Sequence, residues 1–334
     1  MAALPSQSEK TLIIHSGGIG DLLLALPAMR MFRRAFPRSA LALVGRQERL
    51  SLVAFDLQAR SISSIDQAGM AYFYADGGSF PARLSEFFSS FGVVLVFGKS
   101  SGSILADNLK KAGAERVILL PAVPAENSQN HGVDSLIDSL KASGFQEEKS
   151  FSPLRLPAEA LSFARGFLDN LGWKEGDRFL VIHPGSGGPA KNWDPENFAR
   201  VADGLSGRSK VLLISGPAND GVEDVRRALK KADSFVADNL PLIQLAAVLK
   251  LSTAYLGNDS GITHLAAALG LPTVALFGPT DPGIWRPWGR EVRILYEKSS
   301  CSPCSPEGRR GCSRQCLERI DPDRIMEILS PFIG

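Results

Sequence analysis

The sequence predicts an α/β protein built as two layered units with parallel sheets, and three observations carry that prediction. Short apolar runs alternate with helical stretches along the whole chain. Glycine-rich turns recur where an apolar run passes into a helix. The length, 334 residues, exceeds one ordinary hydrophobic core and points to two domains. A hydrophobic content of 44% and a charged content of 22% belong to a globular chain. The net charge of +2 argues against a nucleic-acid partner and against bulk attraction to a membrane. No window reaches the roughly 18 apolar residues of a spanning helix. The polar start, Met1 to Lys10, has no basic segment feeding a long apolar one. The expectation is a cytoplasmic chain with reduced thiols.

In the first half, Leu12–His15, Leu41–Val44, Gly92–Phe97 and Val117–Leu120 read as strands. Helices are expected over Asp21–Phe36, Ser103–Gly113 and His131–Ser143, with a polar loop over Ala122–Asn130. Pro27 should kink the first helix or delay its regular part. Phe151–Pro157, with two prolines in seven residues, reads as an extended linker. The domains are therefore placed at 1–155 and 156–334. In the second half, strands are expected at Phe179–His183, Lys210–Ile214, Ala254–Leu256 and Pro272–Phe277. Helices are expected at Ala158–Leu171, Pro195–Leu205, Gly221–Lys231, Leu242–Lys250 and Ile262–Leu269. The halves are alike in architecture only. Two such units facing a cleft would place ligands at the C-terminal ends of their strands.

The most informative stretch is Leu251–Gly270. An apolar run ends at Gly257, a polar turn follows (Asn258, Asp259, Ser260, Gly261), and an Ala/Leu-rich helix begins. Unpaired N–H groups and the helix dipole make such a junction an anion site, phosphate above all. Ser260 and Gly261 are small enough to admit a phosphate. Asp259 reads either as the helix cap or as a hydroxyl-binding carboxylate. His264, in the first turn, reads as a core histidine or as support for that site.

Ser16–Asp21 also follows a strand and opens a helix. Gly18 and Gly20 suit a dinucleotide fingerprint, but Leu23 stands at the third glycine position and no acidic residue ends the next strand. Asp21 reads as a helix cap or as a general base. Ile182–Trp193 is a third glycine-rich strand end, without P-loop spacing. There Ser186 and the Gly185–Gly188 backbone can donate to phosphate oxygens. Lys191 can neutralise a diphosphate as a point charge or be a solvated loop lysine. Ile214–Asp220 and Ala237–Ile243 read as structural turns, or as frames for a base or ribose. Cys301, Cys304, Cys312 and Cys316 form a CxxC followed by a CxxxC. They read as a structural zinc knuckle, as free thiols, or, less in keeping with reduced thiols, as disulfides. Arg309, Arg310 and Arg314 read as a solvated face, or as contacts for a phosphorylated acceptor.

In order along the chain, Gly18–Pro27 with Phe36-Pro37, His183–Gly187, Lys191–Trp193, Leu240–Leu249, Gly257–Gly270 and Phe277–Pro282 through Trp285 resemble glycosyltransferase family 9, the ADP-heptose:lipopolysaccharide heptosyltransferases. The resemblance runs from about residue 11 to about residue 330. It implies a GT-B fold, two Rossmann-like domains with parallel sheets facing a cleft, whose last helix crosses back to the first domain. It implies an inverting glycosyltransferase that needs no metal for its chemistry. ADP-heptose would be the donor, and the lipopolysaccharide inner core (a Kdo-lipid A or heptosyl group) the acceptor, reached at the cytosolic face of the inner membrane. Asp21 would be the base, with Gly18 and Gly20 on the acceptor side. Ser186, Lys191 and the amides of Ser260, Gly261 and Ile262 would hold the diphosphate. Asp259 would bind heptose hydroxyls, His264 would support the loop, and Leu240 would lie against the adenine. Asp194 stands where proline is common in the family, and Pro217–Asn219 replaces an acidic ribose contact. The competing readings are a sugar-nucleotide epimerase on the same scaffold and a non-catalytic nucleotide-sugar-binding protein.

Overall fold

A computed structural model describes residues 9–66, 73–74, 80–98, 103–121, 129–146, 149–216, 221–304 and 312–333. The chain divides into two compact units, Met1–Ser150 and Phe151–Gly334. The proline-bearing segment thus goes with the second unit, where Leu154 is buried and its amide bonds Ala268 O at 2.7 Å.

In the first unit the apolar runs become the strands β1 (Lys10–His15), β2 (Ala40–Gly45), β4 (Val93–Gly98) and β5 (Arg116–Pro121). A fifth strand, β3 (Ser61–Ser64), completes a parallel sheet of order β3-β2-β1-β4-β5. Between the strands run α1 (Ile19–Ala35), α2 (Gln47–Leu57), α3 (Ala82–Ser89) and α4 (Ser103–Lys111), and α5 (Gly132–Ala142) follows β5. Helix α1 starts at Ile19 and continues through Pro27. Proline removes one N–H there, while Leu22–Met29 on either side are buried. Arg30 on α1 grips Asp56 on α2 with two bonds, Nε to Oδ2 at 2.7 Å and Nη2 to Oδ1 at 2.9 Å. The Asp56 side chain is only 3% exposed, so this pair stands in for water.

The second unit opens with α6 (Ala158–Asn170), then β6 (Phe179–His183), α7 (Pro195–Gly204), β7 (Lys210–Ser215), α8 (Val222–Ala228) and β8 (Ser234–Asp238). Asp194, the departure from the family's proline, caps α7 by accepting from Glu196 N at 2.9 Å, with Pro195 as the first helical residue. Next come α9 (Leu242–Lys250), β9 (Ala254–Asn258), α10 (Gly261–Ala268), β10 (Thr273–Phe277), the single turn α11 (Pro282–Trp285) and β11 (Val292–Tyr296). The single turn α12 (Gln315–Glu318) and α13 (Pro322–Ile333) end the described chain. Six parallel strands lie in the order β11-β10-β9-β6-β7-β8. Helix α13, expected from the resemblance to return to the first domain, buries Ile325, Leu329 and Ile333 in the core of the second unit, beside Phe198 and Val201. No helix among the described residues is long and apolar enough to cross a membrane.

Both sheets reverse their winding once, between β1 and β4 and between β6 and β9. Connections leaving neighbouring strands at such a point go opposite ways and open a crevice at the strands' C-terminal ends. Asp21 follows β1, and the turns bearing Lys191 and Asp259 follow β6 and β9.

Asp56→Ala would leave the Arg30 guanidinium without its carboxylate between two packed helices. The expected loss is about 3 kcal/mol of unfolding free energy, measured by urea denaturation. A loss under about 0.5 kcal/mol, the size of a typical surface substitution, would show that the pair does not tie α1 to α2.

Candidate active site

The second unit's switch point is assembled from three loops. Asn258, fully buried at the end of β9, joins two of them: its Oδ1 accepts from Trp193 N at 3.0 Å and its Nδ2 donates to Pro184 O at 2.6 Å. Gly257 lets β9 lie close to β6, since a Cβ there would meet His183 O at 3.0 Å and Tyr255 OH at 2.5 Å. The cap of α10 is Ser260, whose Oγ accepts from Thr263 N at 3.3 Å. Behind it lies a chain of neutral groups: His183 Nδ1 is 3.3 Å from Ser260 Oγ, and Thr263 Oγ1 is 3.0 Å from both Ser260 Oγ and Tyr255 OH. Burial pushes His183 down to about 4 and raises Tyr255, so both are neutral near pH 7. His264 is buried on the next turn, and its amide bonds Ser260 O at 3.2 Å.

Asp259 is therefore not the helix cap. Its Oδ2 accepts from Lys191 Nζ at 2.6 Å and from Thr280 Oγ1 at 2.5 Å. Ser260 takes the cap because its extended backbone turns the hydroxyl back over the first turn. Lys191 lies in a 3-10 turn, Pro189–Lys191, and is not a solvated lysine. Gly261 and Ile262 hold the first two helical positions, half-buried, where a backbone N–H has no intrahelical acceptor. Ser186 Oγ lies 2.8 Å from Gly188 O and 2.5 Å from Asn192 Oδ1, so its one proton serves one of them at a time. Leu240 is half-buried just ahead of Pro241, the cap of α9. A charged lysine beside a helix N-terminus, on a buried neutral scaffold, suits a diphosphate.

In the first unit Asp21 is the third residue of α1, and its Oδ2 accepts from Gly18 N at 2.8 Å. The capping contact exists, and Oδ1 accepts no hydrogen bond from the described residues. Gly18 is the helix cap and Gly20 the second helical residue. A Cβ on Gly17 would lie 3.1 Å from Asp21 Oδ2 and 3.0 Å from His15 Cε1, so glycine leaves the room in which the carboxylate folds back. Arg49 Nη1 donates to Gly17 O at 2.7 Å, and its charge attracts Asp21. His15, beneath the loop, is held at about 4 by burial and by the Arg49 cation.

The cysteines are free thiols, so the disulfide reading is set aside. Cys301 hydrogen-bonds Ser299 at 3.3 Å and also Cys304. Burial first, then the neighbouring thiols, pushes Cys304 up to about 11. Among the described residues no group of three or more His, Cys, Asp or Glu is arranged to hold a metal ion. The segment also braces the site. Ser302 Oγ donates to Gly278 O at 2.6 Å, Cys304 N to Pro279 O at 2.8 Å, and Arg314 Nη1 to Asn192 O at 3.2 Å. Arg314 is accordingly not part of a solvated face. Arg309, Arg310, the ribose turn Pro217–Asn219 and the polar loop over 122–128 lie outside the described residues. Thr280 and Arg314 escaped the sequence reading of the site: Thr280 sits inside a recognised motif with no role given, and Arg314 among arginines that looked solvated.

The model of glycosyltransferase family 9 (heptosyltransferase) matches residues 112–316. Lipopolysaccharide heptosyltransferase 3 of Escherichia coli K12 is 30% identical over 167 residues, which are 48% of this chain and 48% of that protein. The chain spans about half the length of the curated relatives it matches. A glycosyl transferase family 9 structure from Veillonella parvula superposes with a TM-score of 0.81 at 19% identity, covering 99% of each chain. The E. coli ADP-heptose lps heptosyltransferase II structure gives 0.75 at 18% identity, covering 97% of this chain and 98% of that one. The two likenesses show the fold, GT-B, with two parallel-sheet α/β domains.

The neutral histidines give a pH dependence with a definite sign. In the unfolded chain they bind protons below about 6.5, and in the folded one only below about 4. Their contribution to stability is therefore full above 6.5, falls as pH drops through that window, and levels off beneath it. Urea unfolding between pH 7 and 4 should show this fall, and His183→Gln should make it shallower. Equal slopes in parent and variant would mean that His183 takes up its proton without opposing the fold.

Proposed function

This chain belongs to glycosyltransferase family 9, and from that premise we propose that it transfers heptose from ADP-heptose to the inner core of lipopolysaccharide. The observation that carries the reading is the pairing of Lys191 with the turn that opens α10, at the switch point of the second sheet. It provides one positive charge and a helix N-terminus for a diphosphate. The names of the matched relatives agree: lipopolysaccharide heptosyltransferase 3 in one case, ADP-heptose lps heptosyltransferase II in another.

In this reading the acceptor hydroxyl gives its proton to Asp21 Oδ1 while its oxygen bonds to the anomeric carbon of the heptose. The bond from that carbon to the diphosphate oxygen breaks, ADP leaves with the electron pair, and the configuration inverts in this single displacement. The transition state is oxocarbenium-like, and charge builds on the departing diphosphate. Lys191 and the amides of Ser260, Gly261 and Ile262 stabilise that charge, joined by Ser186 once its proton turns from Gly188 O or Asn192 Oδ1 to the diphosphate, so no metal ion is assigned a part. The capping bond from Gly18 holds the carboxylate at one oxygen and leaves the other for the proton. Asp259 offers its Oδ1 to heptose hydroxyls, His264 supports the loop, and Leu240 borders the adenine. The acceptor is a Kdo-lipid A or heptosyl group, met by a peripheral enzyme at the cytosolic face of the inner membrane. The cysteine spacing is our only ground for a structural zinc, and that ion has no role in transfer.

Purified protein given ADP-heptose and a Kdo-lipid A or heptosylated acceptor should release ADP. Asp21→Ala should lower kcat at least about 100-fold, the low end for loss of a general base, with the fold kept and stability lowered by only about 1 kcal/mol, that of a lost cap bond. ADP release from the parent with no acceptor product would favour hydrolysis, and turnover of a UDP-sugar alone would favour an epimerase. Normal turnover by Asp21→Ala would remove the base assignment. For the cysteines, metal analysis of untagged protein should find about one zinc per chain if the four thiolates form a knuckle. Four titratable thiols and no zinc would dismiss it.

A further inference from the structure

Thr280 has no part in the reaction as described so far, yet it makes one of the two hydrogen bonds to Asp259 Oδ2. We infer that Thr280 is a positioning residue for the donor site: its hydroxyl fixes the Asp259 carboxylate, which in turn holds the Lys191 ammonium beside the first turn of α10. The inference rests on the donor reading above and assigns a residue which that reading leaves idle.

Lysine carries its charge on a flexible stem, and an ammonium has no preferred plane. Its placement must come from what it binds. Among the described residues Lys191 Nζ has one carboxylate partner, Asp259, whose own side chain is 7% exposed while that of Lys191 is 24% exposed. The carboxylate is therefore the fixed member of the pair and the lysine the mobile one. Two anchors hold Asp259: its amide bonds Leu276 O on β10 at 2.9 Å, and Thr280 bonds its Oδ2. The first holds only the backbone. The second sets the rotation of the carboxyl group, and so the direction from which the ammonium approaches.

Thr280 is well placed for this. It is 6% exposed, and the two residues ahead of it are tied down by the cysteine segment, Gly278 O by Ser302 and Pro279 O by Cys304 N. The far side of the pair is braced as well, through Arg314 on Asn192 O and Asn258 on Trp193 N. Both ends of the relay Thr280–Asp259–Lys191 are thus mounted on loops held by hydrogen bonds to their backbone, and the hydroxyl links them to the carboxylate.

Calorimetry with ADP tests this, because ADP carries the diphosphate and lacks the heptose. A hydrogen bond to a charged group is worth enough that Thr280→Val should weaken ADP binding about 10-fold. Thr280→Ser, which restores the hydroxyl, should return it to within about 2-fold of the parent. In a Lys191→Met background the Thr280→Val change should cost almost nothing, since the ammonium it positions is gone. Melting curves check the fold of each variant, and Thr280→Ala replaces the valine variant if that one does not fold. Parental affinity in Thr280→Val, a serine variant as weak as the valine one, or equal losses with and without Lys191 would each overturn the inference. A parent that binds no ADP would instead overturn the donor reading.

Discussion

One part-buried ion pair organises the candidate site of the second unit. Lys191 and Asp259 come from loops after different strands, 68 residues apart in the chain, and meet only because β6 and β9 are neighbours. That adjacency is the point where the sheet reverses its winding. A sheet wound in one direction would send both loops the same way, and charge and helix terminus would not converge. The pair is also under tension in the electrostatic sense. A carboxylate withdrawn from water needs its cation, while an entering diphosphate competes for that same cation. Thr280 eases the competition by giving the carboxylate a second donor.

The cysteine segment looks at first like an appendage with its own chemistry. Its contacts describe something plainer. Ser302, Cys304 and Arg314 bond backbone carbonyls of the two loops that carry Thr280 and Lys191. Carbonyls are the right targets for this task, because they exist at every position and leave the side chains free to face a ligand. Gly278 belongs to the same arrangement: a Cβ there would come within 2.7 Å of Leu317 and 3.1 Å of Cys316 Sγ, so the loop can press against α12 only as glycine.

The buried strands were readable because their neighbours on both sides demand continuous apolar runs. The strands that escaped, Ser61–Ser64, Ser234–Asp238 and Val292–Tyr296, are all sheet edges. An edge is half-solvated, so serine, aspartate and arginine are tolerated there and the apolar signal fades. Helices α2 and α3, neither of which carries a side-chain cap bond, escaped as well. In the site, the motifs located the loops but not the partners within them. Asp259 reads as a possible cap and Ser260 only as a small residue, although both residue types cap helices. Only the fold shows that the hydroxyl is turned to the amides and the carboxylate to the lysine. Arg314 looked solvated because nothing local marks a carbonyl 122 residues away as its acceptor.

The relay of hydroxyls under α10 has a consequence of its own. Histidine, serine, threonine and tyrosine hold that turn without a formal charge among them. Dissolved ions screen Coulomb forces and leave neutral hydrogen bonds nearly untouched. The cradle thus keeps its shape in brine and in dilute buffer alike, and only its grip on an anion slackens.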